Sequence, residues 1–477
     1  MKKILFVTSE VFPLIKTGGL ADVSASLPIA LNGLNADVRL LIPHYKDLNK
    51  TEETYYKSTV HVNKRSVNIL ETFLPETQVL VWLVDCPALF DYPGNPYVDE
   101  QGNDWLNNAE RFALFCRVAV ELAMNRAYLD WMPDVVHCND WQSGLVPALL
   151  STEVDRPSTV FTIHNLAYQG LFPKKTHALL NLPRQFWHPN GIEFNGMLSF
   201  MKGGLAYADR ITTVSPTYAQ EIQTAEFGYG LEGLLRHRNK DLVGILNGID
   251  IDHWNPETDV YLNQHYGIST LDKKQLNKTA LQAKYGLFID ANVPVFALIS
   301  RLVEQKGLGL IVDALPEMLK LPLQFVLLGK GEKYFEQQLA FFAKKHPQQV
   351  VIILDYDEAL AHQFEAAADI FLMPSLFEPC GLNQLYSQRY GTVPIVRKTG
   401  GLADTVVDAL PATFNDKTAT GFVFNGASSG ALLEAIKRSI IVYSDSERWK
   451  ELQLNGMQKN DSWHSSAQRY LELYEAL

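Results

Sequence analysis

Apolar residues occur along the chain in short runs that alternate with longer segments whose apolar positions have helical spacing. In the first half the runs predict strands at residues 4–8, 37–42, 135–137, 158–163, 211–214 and 243–246, with hairpins between 59 and 84. In the second half they predict strands at residues 295–299, 324–328, 350–354, 369–373, 393–396 and 421–424. Strands that alternate with helices imply parallel sheets with helices on both faces, which is an α/β fold.

The helical segments differ in how clearly the sequence marks their ends. Residues 104–126 form the longest stretch with helical spacing, and further helices are predicted to about residue 31 and over 141–150. Ser215 followed by Pro216 is an N-cap with proline at the first helical position. A turn and a polar segment follow residue 247, so we expect a boundary between two lobes within residues 244–250.

One heptapeptide, Lys-Thr-Gly-Gly-Leu-Ala-Asp, occurs at residues 16–22 and again at residues 398–404. Each copy follows a predicted strand and precedes a segment that can start a helix. A glycine pair at such a turn lets the backbone approach a ligand, and the helix start offers free N–H groups to an anion. The repeat therefore predicts two lobes that each present a basic glycine loop to one phosphorylated ligand.

The composition limits the classes of function. The formal net charge of −11 argues against a nucleic-acid-binding protein, and it requires any phosphate site to be built from a few placed cations. The four cysteines are Cys86, Cys116, Cys138 and Cys380, and their spacing indicates neither a disulfide framework nor a zinc site. The apolar run after Met-Lys-Lys is too short for a signal peptide, and no stretch approaches a membrane span. We therefore expect a cytoplasmic protein with no membrane partner.

Several familiar signatures match by letter but lack the structural context that they need. Residues 228–233 fit GxGxxG, but a helix-like segment precedes them instead of a strand. Residues 426–430 fit GxSxG, but the chain turns before the serine, which favours a helix cap. Residues 250–252 and 355–357 resemble the Asp-x-Asp of metal-dependent sugar transferases; we interpret them as loop or capping aspartates. No GxxxxGK[ST] loop is present.

Polar residues come directly or shortly after four of the predicted strands. They are Asp140 after 135–137, His164 after 158–163, Arg301 and Lys306 after 295–299, and Glu378 after 369–373. Ligands of parallel sheets bind beyond the carboxyl ends of the strands. Arginine grips phosphate oxygens through two hydrogen bonds, and lysine adds a point charge. The convergence of these residues predicts a ligand-binding site.

These motifs, in this order, resemble the bacterial glycogen synthases and plant starch synthases. The segments that carry the resemblance are residues 16–22, 164–170, 193–195, 214–218, 247–250, 300–307, 377–382 and 398–404. The resemblance implies an α/β GT-B architecture, in which two Rossmann-like doubly wound parallel-sheet lobes face each other across a cleft. The N-terminal lobe would span residues 1–245, the nucleotide-sugar lobe 246–461, and a helix at 462–477 would cross back to the first lobe.

The resemblance also implies an activity. Such an enzyme transfers glucose from ADP-glucose to the non-reducing end of an α-1,4-glucan, with retention of configuration and with no metal or other cofactor. ADP-glucose and the glucan would be the partners of this chain, and the sequence does not specify an oligomeric state or regulation.

Site roles follow from the resemblance by position. The catalytic residues would be Asp140, His164, Arg301, Lys306 and Glu378. The donor site would comprise Lys16, Gly18, Gly19, Arg301, Lys306, Tyr356, Cys380, Gly381, Thr399, Gly400 and Gly401, with Tyr356 placed to stack on adenine. The acceptor would meet Glu10, Tyr97, Trp141 and Asn165.

The chain departs from the family pattern at a few positions, and some alternatives stay open. Asn139 and Gln142 stand where bacterial members often have histidines, and Asn383 stands where threonine is usual. A related GT-B enzyme that uses UDP-glucose and a non-catalytic glucan-binding relative are the alternative functions. Retention could arise by double displacement or by front-face attack; we prefer the latter because the sequence offers no obvious pair of carboxylates.

Overall fold

The computed structural model describes residues 1–49 and 53–477, and its contacts divide the chain into two compact units. Unit 1 comprises Met1–Asn247 together with Trp463–Leu477, and unit 2 comprises Gly248–Ser462. The chain therefore passes between the units at two points. The lobe limits that the resemblance implies, after residues 245 and 461, stay predictions beside this division.

Unit 1 is built on a nine-stranded sheet with the order β12-β11-β7-β6-β1-β2-β5-β4-β3, beside a small antiparallel sheet β8-β10-β9. The strands are β1 Lys3–Val7, β2 Asp37–Pro43, β3 Tyr55–Val62, β4 Arg65–Phe73, β5 Leu80–Asp85, β6 Val135–Asn139, β7 Ser158–Ile163, β8 Leu171–Pro173, β9 Glu193–Phe194, β10 Met197–Ser199, β11 Arg210–Thr213 and β12 Leu242–Gly244. Seven strands pair in parallel, while β3 and β4 form the expected hairpin at one edge.

The helices of unit 1 lie mainly between these strands. They are α1 Gly19–Gly33, α2 Pro87–Phe90, α3 Asn108–Ala123, α4 Leu145–Leu150, α5 Lys174–Leu179, α6 Phe200–Tyr207, α7 Pro216–Glu221, α8 Glu232–His237 and, from the chain's end, α18 Trp463–Glu475. The long helix α3 is shorter than the predicted 104–126 at both ends; beyond its C-terminal end Asn125 has φ +54°, which a right-handed helix does not allow. The Ser215 cap is confirmed, since its side chain accepts from the N–H of Tyr218.

Unit 2 contains a six-stranded, wholly parallel sheet with the order β15-β14-β13-β16-β17-β18. The strands are β13 Val295–Ile299, β14 Gln324–Leu328, β15 Val350–Ile353, β16 Ile370–Met373, β17 Val393–Arg397 and β18 Phe422–Phe424. The helices are α9 Lys274–Tyr285, α10 Leu308–Met318, α11 Lys333–Lys345, α12 Glu358–Ala367, α13 Asn383–Arg389, α14 Gly400–Thr405, α15 Pro411–Asn415, α16 Ser429–Tyr443 and α17 Ser446–Met457.

Helices cover both faces of the unit 2 sheet, as the side chains of β13 show. Phe296 and Leu298 join one buried cluster, which includes residues of α10 and α16. Val295 and Ala297 join a second cluster, which includes residues of α9 and α12. The predicted α/β fold with parallel sheets is confirmed.

The residues of the GxSxG and Asp-x-Asp matches cap helices or hold turns. Ser428 is the N-cap of α16 and accepts from the N–H of Ala431 at 3.2 Å. Asp357 caps α12 by accepting from the N–H of Leu360 at 2.9 Å, and Asp250 accepts from two N–H groups of its own turn. In the described part of the chain, no helix combines the length and apolar character that a membrane crossing needs.

Helix α18 is held in unit 1 by its apolar face and by one buried histidine. Trp463, Tyr470 and Tyr474 belong to the same core cluster as β1 and β2. His137 of β6 is fully buried; its Nδ1 lies 2.6 Å from the hydroxyl of Tyr474, and its Nε2 lies 2.6 Å from that of Thr162. Burial lowers the pKa of His137 to about 3, so the ring is neutral at pH 7.

We expect His137 to make stability depend on acidity. The unfolded chain protonates this ring near its ordinary pKa of about 6.5, while the folded protein resists protonation until about pH 3. The contribution of neutral His137 to the free energy of unfolding is therefore complete above pH 6.5. It is lost as the pH falls towards 3, by up to about 1.4 kcal/mol per pH unit. His137→Gln should flatten the fall of the melting temperature over this range, measured by calorimetry.

Tyr474→Phe is the matched control. It removes one hydrogen bond of the ring but keeps the titrating group, so it should lower the melting temperature while keeping the wild-type slope. Parallel curves for His137→Gln and the wild type would contradict the assignment.

Candidate active site

In unit 1, Glu10 holds the first glycine loop. Its buried Oε2 accepts from the N–H and hydroxyl of Thr17 at 2.5 and 2.8 Å, and from the N–H of Gly18 at 3.3 Å. The hydroxyl of Tyr97 donates to Oε1 at 3.3 Å. Burial raises the pKa of Glu10, and these hydrogen bonds oppose the rise. The structure thus gives Glu10 and Tyr97 a loop-holding role beside the acceptor role implied by the resemblance.

The first glycine loop itself is open. Gly18 has extended backbone, and Gly19 is the first residue of α1; a Cβ added at either glycine meets nothing within 4 Å. The side chain of Lys16 is exposed and pairs with Asp22 of the same heptapeptide at 2.7 Å. Packing within the described residues therefore does not explain why glycine occupies these two positions.

Asp140 joins the carboxyl ends of β6 and β7. Its Oδ1 accepts from the N–H of His164 at 2.8 Å and from that of Asn165 at 3.4 Å. Asp140 has φ +54° and ψ −177°, a conformation that is otherwise nearly confined to glycine and costs about 1–3 kcal/mol. Burial raises the pKa of its carboxyl to about 7. Such strain is retained where the geometry of a site requires it.

The ring of His164 has a defined tautomer. The side-chain amide of Asn139 donates to the carbonyl of Val7 at 3.1 Å, so its oxygen is turned towards Nε2 of His164, 2.9 Å away. Because an amide oxygen only accepts, Nε2 carries the proton and Nδ1 is left as an acceptor. Burial lowers the pKa of His164 to about 3, which keeps the ring neutral. Asn139 therefore orients the ring of His164.

Trp141 follows Asp140 in a short 3₁₀ turn and is half-buried. Its ring packs against those of Phe112, Phe172 and Phe200 at centroid distances of 5.0–6.2 Å. A Cβ at Gly170 would lie 2.4 Å from the indole, so glycine is needed there for the close approach. The indole is therefore packed on several sides and is not fully buried.

In unit 2, Lys306 and Glu378 form a close ion pair at the carboxyl edge of the sheet. Nζ of Lys306 lies 2.6 Å from Oε2 of Glu378, and the hydroxyl of Ser375 donates to the same oxygen at 2.9 Å. The glutamate is 6% exposed. The structure therefore brings together Lys306 and Glu378, two of the predicted catalytic residues. Lys306 and Ser375 both contact Oε2 of Glu378.

The segment between β16 and Glu378 is held from several sides. Nε of Arg397 donates to the carbonyl of Ser375 at 2.7 Å, and its guanidinium also donates to the carbonyl of Leu376. A Cβ at Gly307, which has φ +71°, would lie 2.1 Å from the carbonyl oxygen of Pro374. These contacts fix the backbone that carries Glu378.

The second glycine loop packs tightly, unlike the first. Gly400 has φ +43°, and a Cβ there would lie 2.0 Å from the carbonyl oxygen of Glu378. A Cβ at Gly401 would lie 2.2 Å from the carbonyl oxygen of Cys380. Thr399 is the buried N-cap residue of α14. This loop therefore supports the backbone at Glu378 directly.

The other predicted donor residues of unit 2 have separate environments. Cys380 is buried, and Gly381 has φ +74° beside the side chains of Gln384 and Glu378. Arg301 is exposed, and its guanidinium has no hydrogen-bond or ion-pair partner in the described parts of the chain. Tyr356 is 75% exposed in the loop between β15 and α12.

Three residues support the site in ways that were not predicted from the sequence. Ser375 and Arg397 hold Glu378 and its loop, and Asn139 orients His164. Ser375 shortly follows a predicted strand and Arg397 directly precedes the second heptapeptide, so position alone could have marked both. Their partners, however, depend on contacts that sequence spacing does not reveal.

Comparisons with known proteins cover the whole chain. The family profile for the starch synthase catalytic domain matches residues 3–237, and the profile for glycosyl transferases group 1 matches residues 282–453. Glycogen synthase 1 of Methylococcus capsulatus is 56% identical, over 100% of this chain and 97% of its own. Glycogen synthase of Cellvibrio japonicus is 52% identical, over 100% of both chains.

A solved starch synthase structure also matches the chain over its full length. The catalytic domain of starch synthase IV from Arabidopsis thaliana, bound to ADP and acarbose, is 33% identical. It matches 100% of this chain and 99% of its own with a TM-score of 0.90.

The two glycine loops should respond differently to the same substitution. Gly400→Ala forces a side chain into a left-handed conformation and against the carbonyl of Glu378, at a cost of at least about 2 kcal/mol. Calorimetry should show a melting temperature lowered by about 4–8 °C. Gly18→Ala, the matched variant in the first loop, should leave it unchanged. Equal losses in both variants would contradict the contrast.

Proposed function

The chain belongs to the glycogen synthase and starch synthase family, and on that premise we propose how its two units act as an ADP-glucose-dependent glucosyltransferase. The reaction transfers glucose from ADP-glucose to the non-reducing end of an α-1,4-glucan with retention of configuration. Relatives at 52–56% identity over the full chain and a GT-B structural neighbour that holds ADP support this function.

The observation that carries the proposal is the Lys306–Glu378 pair at the carboxyl edge of the unit 2 sheet. Cleavage of the bond between glucose and the diphosphate develops negative charge on the leaving oxygen. A lysine held at a fixed position can stabilise that charge without reorganising during the reaction. Arg301, exposed and without a partner among the described residues, adds a two-pronged phosphate donor after β13.

Lys16 of unit 1 supplies a further phosphate-binding cation. Its pair with Asp22 is partly exposed, and such pairs contribute only about 0–1 kcal/mol. A diphosphate can therefore replace Asp22 at little cost. The open space around Gly18 and Gly19 lets phosphate oxygens approach the start of α1. With these cations the transfer requires no metal ion at the diphosphate.

Glu378 and His164 each offer one acceptor atom to a sugar hydroxyl. Oε2 of Glu378 is committed to Lys306 and Ser375, which leaves Oε1 to accept from a sugar hydroxyl. Neutral His164 offers Nδ1 as a second acceptor, because Asn139 occupies Nε2. Asp140 acts through the backbone of His164 and Asn165, whose position its carboxylate fixes.

The glucan acceptor meets the surface beside the Asp140 turn. Trp141 offers the exposed part of its indole for stacking on a sugar ring, and Asn165 lies on the same strand end as His164. Tyr356, with a largely exposed ring, stacks on adenine. Glu10 and Tyr97 hold the first glycine loop, which binds the donor, and they also meet the acceptor.

Retention proceeds by front-face attack. The carboxylate of Glu378 is ion-paired at 2.6 Å, which lowers its reactivity as a nucleophile. The departing phosphate can instead take the proton of the acceptor hydroxyl while the new bond forms on the same face. A covalent glucosyl adduct on Glu378 or Asp140, detected by mass spectrometry, would support double displacement.

The donor is tested by glucan elongation with ADP-glucose and UDP-glucose in parallel, each with and without chelator. We expect faster incorporation of labelled glucose from ADP-glucose and no effect of the chelator on the initial rate. A faster rate with UDP-glucose would select the related transferase, and no elongation with either donor would select a glucan-binding protein.

Lys306→Met tests the role of the cation. Loss of one fixed donor to developing charge should lower kcat by about 10²–10³-fold. Lys320→Met is the matched control, because it removes an exposed lysine of the same unit whose partner is Glu317. A similar loss of kcat in both variants, or none in Lys306→Met, would contradict the role.

A further inference from the structure

Unit 2 contains a cluster of potential metal ligands that the transfer reaction does not use. It consists of His253, Glu358 and His362, whose ligand atoms all lie within 4.8 Å of one another. Glu358 and His362 are one turn apart on α12, which places them on the same face of the helix. His253 comes from the turn-rich segment before α9.

His362 is the fixed member of the cluster. It is 0% exposed, and its Nδ1 lies 2.7 Å from Oδ2 of Asp259, which also accepts from the hydroxyl of Tyr390 at 2.6 Å. Because a carboxylate only accepts, Nδ1 carries the proton and the lone pair lies on Nε2. Nε2 is buried and has no hydrogen-bond partner in the described residues. A buried polar atom without a partner costs about 1–3 kcal/mol, so it points to a ligand.

The ring of Trp254 fixes the geometry further. It stacks on His362 at a centroid distance of 3.8 Å, and on Tyr386 at the same distance on its other face. This stack sets the ring plane of His362 and places the neighbouring His253 ring 5.0 Å away at 85°. Packed aromatic rings therefore hold the imidazoles of His253 and His362 next to each other.

The other two ligands are partly exposed and already in contact. Nε2 of His253 lies 3.2 Å from Oε1 of Glu358, and their side chains are 38% and 37% exposed. Zinc–ligand bonds of about 2.0–2.2 Å bring ligand atoms to roughly 3.4 Å from one another. Rotation of these two exposed side chains can close the cluster around an ion while His362 stays in place.

We propose that His253, Glu358 and His362 bind one divalent transition-metal ion, with Zn²⁺ favoured by two imidazole nitrogens and a carboxylate oxygen. Asp259 orients the buried ligand through its second ring nitrogen, as carboxylates do in many histidine–zinc sites. A fourth position is left for water. The ion ties the first turn of α12 to the segment that contains His253, and it takes no part in glucosyl transfer.

A simple ion pair is the competing explanation. Glu358 raises the pKa of His253 through their hydrogen bond, which accounts for the contact between these two side chains. It does not supply a partner for Nε2 of His362, which a metal ion does.

The test uses tag-free, chelator-treated full-length protein titrated with Zn²⁺ in a calorimeter and with Co²⁺ in a visible spectrometer. We expect one ion per chain and a tetrahedral Co²⁺ spectrum. His253→Ala and Glu358→Gln should each weaken binding by at least about ten-fold, since even loss of an outer partner costs that much. These exposed substitutions avoid the buried core; circular dichroism without metal checks their fold.

His464→Ala is the matched control, because His464 is an exposed histidine of α18 in unit 1. It should bind the ion as tightly as the wild type. The proposal is overturned if binding is not saturable at one ion per chain, if both cluster variants keep wild-type affinity, or if His464→Ala weakens binding equally. None of these readouts depends on transferase activity.

Discussion

Buried carboxylates impose the main constraint on this structure, because a charge removed from water must be surrounded by donors. Glu10 takes the backbone N–H groups of the first glycine loop, and Asp140 takes those at the end of β7. Glu378 takes a lysine and a serine. In each case one carboxylate side chain fixes a loop at the carboxyl end of a strand.

The two copies of the heptapeptide show how far a local motif determines its role. Both occupy the turn between a strand and a helix, as their sequence predicts. The first leaves open space around Gly18, whereas the second packs Gly400 against the backbone of Glu378. One loop is thus available to a ligand, while the other supports a neighbouring residue. The difference comes from long-range packing, which cannot be predicted from seven identical residues.

The sequence predicted the strands well where both faces of the sheet are buried. Strands β7, β13 and β14 match their predicted limits, because continuous apolar runs mark them clearly. The short strands β8 to β10 were missed, since two or three residues give no usable pattern.

Site residues at strand ends were predicted from position and family resemblance, and the structure adds their partners. The pairing of Lys306 with Glu378 spans 72 positions, and the cluster around His362 joins residues more than 100 positions apart. Contacts of this kind depend on how the sheets and helices pack. The role of the Asn139 amide likewise depends on two contacts, with the carbonyl of Val7 and with the ring of His164.

The return of α18 to unit 1 has a consequence for biosynthesis. His137 finds its hydroxyl partner in Tyr474, which leaves the ribosome 337 residues later. Unit 1 is therefore translated first but completed last. Until unit 2 has been synthesised, the sheet of unit 1 lacks α18, which covers part of its apolar face. A premature stop codon near the 3′ end of the message, which removes α18, would therefore damage the unit that was translated first.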